Sequence, residues 1–99
     1  MAQEKQFENR IKKFLKDNNC WHIKYFANAF TQSGIPDILA CVNGHFVGIE
    51  VKAEKGKPSE LQIYHQQKIR ESGGLSYILY PKDFEEFKKE IKKLLDKQI

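Results

Sequence analysis

The sequence predicts an α/β fold whose elements run α-β-β-β-α-β-α around a central mixed sheet. Three observations predict it. Asn43-Gly44 stands between two apolar runs and marks a β-hairpin, because both central residues of its tight turn need positive φ. A helix-like segment separates the hairpin's second strand from an apolar run at residues 75–80, and a crossover of that kind implies parallel, right-handed pairing. The first and second helical stretches, residues 3–18 and the helix opening at Ser59, can cover the two faces of that sheet. No linker, repeat or low-complexity segment interrupts the 99 residues. That length makes one domain, large enough to bury a core without disulfide or metal staples.

Residues 3–18 read as an amphipathic helix with Phe7, Ile11, Phe14 and Leu15 at i, i+4, i+7 and i+8. Glu8 borders that stripe. Trp21, Ile23 and Tyr25 alternate with His22, Lys24 and Phe26 in a first strand, and residues 27–36 form a loop into the hairpin. A two-residue turn pairs Val42 with His45 and steps outward until Asp37 faces Glu50, with Cβ atoms about 5 Å apart. Ile38, Ala40, Val42, Val47, Ile49 and Val51 make one hairpin face apolar, so it belongs in a core. Leu39, Cys41 and Phe46 lie on the other face between turn and charges, which predicts cover on that side too. Gly48 adds to this, since a strand glycine often marks close approach by another group. Ser59 as N-cap with Gln62 three residues later is a capping box opening the second helix. Gly73-Gly74 ends it, residues 75–80 form a strand, and Pro81 closes that strand. Asp83 with Glu86 predicts a second capping box before a last helix carrying Phe84, Phe87, Ile91, Leu94 and Leu95.

The hairpin's open end carries the chemistry. Glu50 and Lys52 share a face, and Asp37 joins them by pairing, so a carboxylate pair is flanked by an ammonium. Like charges directly opposed destabilise a sheet. A divalent cation relieves this, and Mg²⁺ is usually held by one or two carboxylates beside substrates that bring phosphate oxygens. The alternative is a surface hairpin with Glu50 and Lys52 solvated and Asp37 only capping the turn after Pro36. Gln62 also has two readings, a capping side chain turned back to Ser59 or a group sent to the site.

Gly34-Ile35-Pro36-Asp37, Glu50-Val51-Lys52 and the helical Gln62 together resemble the PD-(D/E)XK nuclease superfamily. Within it the pattern is most similar to the stand-alone VRR-NUC group, although the V-R-R triplet that names the group is not visible. The likeness runs from Glu8 to about Tyr80. It implies a three-layer α-β-α restriction-endonuclease-like fold and a catalytic set of Glu8, Asp37, Glu50, Lys52 and Gln62. Asp37, Glu50 and the Val51 backbone carbonyl would bind Mg²⁺ or Mn²⁺, with Glu8 joining through a water. Lys52, Lys55, Lys57, Ser33 and Gly34 would meet DNA. The activity implied is structure-specific cleavage of branched DNA such as four-way Holliday junctions by a homodimer, since a junction needs two cuts and each chain carries one carboxylate cluster.

A formal charge of +4 favours a polyanionic partner, and Lys52, Lys55 and Lys57 gather after the carboxylate strand. The lysines near the C-terminus alternate with acids and read as a solvated face. Two cysteines, Cys20 and Cys41, show no metal-ligand spacing and read as reduced core residues. His22, His45 and His65 stand in no catalytic spacing. No run approaches the roughly 20 apolar residues of a membrane span and no signal peptide is visible, which predicts a bacterial, archaeal or viral cytosolic setting, or a nucleus. Without a separate base-reading module, recognition by shape and phosphate is expected. Two other classes compete: a restriction-like or non-specific duplex nuclease subunit, with Thr31, Gln32 and Ser33 offering base contacts, and a non-catalytic nucleic-acid-binding module.

Overall fold

The computed structural model describes residues 2–97. In chain order the elements are α1 (Ala2–Asp17), β1 (Trp21–Lys24), β2 (Ile38–Val42), β3 (His45–Val51), α2 (Glu60–Glu71), β4 (Leu75–Leu79), a 3-10 turn (Pro81–Asp83) and α3 (Phe84–Asp96). Among the described residues the strands form one mixed sheet in the order β1-β2-β3-β4. The first three strands pair antiparallel, and β4 pairs parallel with β3 after the α2 crossover. The α/β expectation with a mixed sheet is met.

The hairpin register is the one its turn dictates. Val42 pairs with His45 and Ile38 with Ile49, and both turn residues hold positive φ, 48° at Asn43 and 84° at Gly44. Asn43 also donates from its side-chain amide to the Leu94 carbonyl at 2.8 Å, tying the turn to α3. The face formed by Ile38, Ala40, Val42, Val47, Ile49 and Val51 is wholly buried. Phe7, Ile11 and Leu15 of α1 and Phe84, Phe87 and Ile91 of α3 join it in one core. Edge-to-face ring contacts at 5.4 Å (Phe7 to Phe84) and 4.9 Å (Tyr77 to Phe87) lock α3 beside α1 and over β4.

On the opposite face α2 lies over β3 and β4. Ser76 donates to the Gln66 carbonyl at 3.1 Å, and a Cβ at Gly48 would stand 2.9 Å from the Ile69 side chain and 3.1 Å from the Pro36 ring. Those two side chains are what approaches this glycine. The expectation of cover across the whole second face is corrected. Trp21 is 63 % exposed and Phe46 45 %, Cys41 is exposed, and Leu39 is half-buried. A single twelve-residue helix is too narrow to span four strands. Both cysteines are free, but only Cys20 is buried, so the core assignment of Cys41 is also corrected.

The second predicted capping box does not form. Asp83 makes no side-chain cap hydrogen bond, and its backbone stands at φ −96°, ψ 0°. Pro81 starts a 3-10 turn immediately before, which turns Asp83 away from the extended conformation that aims a cap side chain at the helix. Ser59, at φ −77°, ψ 166°, has that conformation and caps α2.

Candidate active site

Asp37 stands one residue before β2 and is held from both flanks. Its carbonyl accepts the Tyr25 N–H at 2.8 Å, and its carboxylate Oδ2 accepts the Val51 N–H at 2.8 Å. The second contact follows from the ladder. Lys52 donates its N–H to Leu79 of β4, so the preceding residue turns its backbone the other way, towards Asp37. A residue's carbonyl leaves a strand on the same side as its N–H, and the Val51 carbonyl therefore points to that rim as well. Pro36, buried, fixes the approach of the chain to Asp37.

Glu50 lies one step beyond the last ladder pair and meets Asp37 there. It is only 3 % exposed. Its Oε2 accepts from Gln62 Nε2 at 2.8 Å and lies 3.5 Å from Lys52 Nζ. Its Oε1 is buried with no hydrogen-bond partner among the described residues. Burial pushes the carboxyl pKa up, the Asp37 charge adds to this, and Lys52 opposes them only in part, leaving Glu50 at about 8.

Gln62 serves the cap and the site together. Its Oε1 accepts the Ser59 N–H at 2.9 Å while its N–H returns to Ser59 Oγ at 3.2 Å, and its Nε2 reaches Glu50. The two readings left open by the sequence use opposite ends of one amide, so the capping contact and the contact to Glu50 coexist.

Glu8 is brought to the rim by α1 and is 4 % exposed. Lys24 Nζ lies 2.9 Å from its Oε1, and Lys12 and Lys5 lie 3.2 and 3.6 Å from its Oε2. Burial alone would raise its pKa, but Lys24 and Lys12 outweigh it and hold the carboxyl below its usual value. Lys24 also reaches Asp37 Oδ1 at 3.5 Å. Its own pKa would fall with burial, yet the paired carboxylates Glu8 and Asp37 raise it. Glu8 thus connects to Asp37 through Lys24.

Beyond the rim, Lys55 and Lys57 are exposed and line a concavity with Tyr80 and Lys82. Tyr80 donates its hydroxyl to the Gly56 carbonyl at 2.8 Å and fastens that loop. Ser33, Thr31 and Gln32 are exposed, with the Thr31 hydroxyl already engaged by Asn28. Gly34, at φ +80°, packs so tightly that a Cβ there would lie 2.8 Å from the Leu61 backbone. It seats the loop on the start of α2. The sequence reading missed Lys24 and Lys82. Lys24 was legible only with the β1–β2 register, Lys24 to Ile38, which the long intervening loop hides.

Among the described residues no group of three or more His, Cys, Asp or Glu side chains is placed to hold a metal ion. Asp37 and Glu50 form a pair, and strand geometry turns the Val51 carbonyl to the same rim. Hard oxygen donors in that number suit Mg²⁺ or Mn²⁺, which retain several waters. The unpartnered buried Glu50 Oε1 fits such an ion, since burying a carboxylate beside another costs energy that a divalent cation offsets. No protein-family model, curated protein or solved structure matches the chain. The likeness to the PD-(D/E)XK superfamily stands on the motif residues alone.

Proposed function

We propose that this protein is a Mg²⁺- or Mn²⁺-dependent endodeoxyribonuclease with a restriction-endonuclease-like fold. The observation that carries the reading is Glu50: a buried carboxylate with an unpartnered oxygen, set against Asp37 and pushed up to about 8. A divalent cation held there would stabilise developing charge and lower the pKa of a bound water. Asp37 and Glu50 are its ligands, with the Val51 carbonyl completing the protein's share. Asp37 is pre-oriented by the Val51 N–H, and Glu50 by Gln62. Lys52, half-buried beside Glu50, offers a compact positive charge to the scissile phosphate. Lys55, Lys57 and Lys82 form the track for the neighbouring backbone phosphates.

The substrate we favour is branched DNA, cut by a homodimer, as the motif likeness implies. Each chain brings one carboxylate pair, and the uncovered half of the sheet, with Trp21, Ile23 and Phe46 exposed, offers apolar surface for a second copy. The test is incubation with labelled junction, flap, single-stranded and linear DNA, without metal and with Mg²⁺ or Mn²⁺. Cleavage of junction or flap that needs the metal, lost in Asp37→Asn and Lys52→Ala while DNA binding persists, is the expected result. Wild-type protein inert on every substrate with both metals would leave only a binding module. Equal cutting of linear duplex would favour the restriction-like class.

A further inference from the structure

Three carboxylates approach one rim, and the two gaps between them differ. Between Glu8 and Asp37 stands the Lys24 ammonium, 2.9 Å from Glu8 Oε1 and 3.5 Å from Asp37 Oδ1. Among the described residues no ammonium pairs with both Asp37 and Glu50, and Glu50 Oε1 has no hydrogen-bond partner; Lys52 lies 3.5 Å from the other Glu50 oxygen. The remaining Glu8 oxygen also lacks a hydrogen bond of good geometry, but it lies 3.2 Å from Lys12 and 3.6 Å from Lys5, so both Glu8 oxygens face cations whereas Glu50 Oε1 faces none among the described residues. Two-metal nucleases set their ions about 3.5–4 Å apart around a shared carboxylate. Here the position on the Glu8 side of Asp37 is taken by a tethered charge.

We propose that Lys24 is a built-in substitute for a second metal ion, so that each chain binds one divalent cation, between Asp37 and Glu50, and Glu8 anchors Lys24 instead of joining the metal's shell. This rests on the metal-dependent reading above. Lys24 is a positioning residue: its ammonium fixes Asp37 Oδ1 while Val51 fixes Oδ2. The ammonium at that position also repels a second dication, and the half-buried setting, with the Lys24 side chain 21 % exposed, limits the screening of that repulsion by salt. A lysine that only staples α1 to β1 would have no effect on how many ions bind.

The test counts Mn²⁺ bound per chain, by calorimetry and by the electron paramagnetic resonance signal of free Mn²⁺, on the full-length protein. Wild type should take one ion, Lys24→Arg one, and Lys24→Met two, the second lost again in Lys24→Met/Glu8→Gln. Should Lys24→Met not fold, Lys24→Gln carries the same comparison. Two ions in wild type, or one in a folded Lys24→Met or Lys24→Gln protein, overturns the inference and leaves the metal site standing. Wild type that binds none, or Asp37→Asn that binds as wild type does, removes the metal-dependent reading itself.

Discussion

Gln62 links the α2 cap to the buried Glu50 carboxylate through one side chain, and that makes stability and the proposed chemistry separable. Ser59→Ala removes the hydroxyl that caps α2 and leaves the Gln62 amide on Glu50, so it should cost about 1 kcal/mol of stability with cleavage retained. Gln62→Ala should lose a similar amount and also most of the activity; urea melts beside single-turnover rates decide between this and a purely structural glutamine, which predicts matched losses in both variants. Glu50 carries a second signature. Its pKa rises from 4.5 unfolded to about 8 in the folded chain, so the folded state holds a proton that the unfolded state releases. The stabilising effect is fully present below about pH 4.5 and is lost as pH rises towards 8. Metal-free protein should therefore melt at progressively lower temperature across that window, and Glu50→Gln should flatten the slope. An unchanged slope in that variant would show that Glu50 is solvated. Added Mn²⁺ should raise the melting temperature most at the alkaline end, where it no longer competes with that proton.

At the scale of elements, legibility followed how local the determinants are. The hairpin was readable to the residue because turn chemistry, alternation and register agree over one continuous stretch, from Asp37 to Lys52, and the α2 cap because Ser59 and Gln62 are three residues apart. The α3 cap departs from its sequence pattern because Pro81 imposes a 3-10 turn that re-aims Asp83. Asp83→Ala should accordingly cost less than Ser59→Ala in the same urea melts, and an equal cost would mean that Asp83 caps after all. The incomplete cover of the second sheet face was hidden for a different reason: how far one helix reaches depends on packing, not on its own sequence. Lys24 was hidden likewise, since its contacts to Glu8 and Asp37 cross 16 and 13 positions of chain. Gly34→Ala should destabilise by about 1–3 kcal/mol, because φ +80° strains any side chain and its Cβ meets the Leu61 backbone. A loss well below that would mean the loop lifts off α2 freely.

Across the whole molecule, charge alternates along the rim from Glu8 through Lys24 to Asp37, and from Glu50 to Lys52, and breaks only where the two carboxylates adjoin. The basic surface continues past that break through Lys55, Lys57 and Lys82. Removing any one of these three should weaken DNA binding alike for all sequences and lower the salt slope by about 1; an unchanged slope would place the backbone elsewhere. Among the described residues one chain carries one such carboxylate pair, and the paired incision proposed above would call for a second copy. Trp21→Glu should convert a dimer to a monomer in sedimentation while leaving Mn²⁺ binding intact, and a monomeric wild type would remove the dimer from the account. No helix among the described residues is long and apolar enough to cross a membrane. The most direct measurement is anomalous diffraction from crystals soaked in Mn²⁺. The account predicts one peak at about 2.0–2.6 Å from oxygens of both Asp37 and Glu50, absent in Asp37→Asn. A peak elsewhere on the chain, or none at saturating metal, would contradict it.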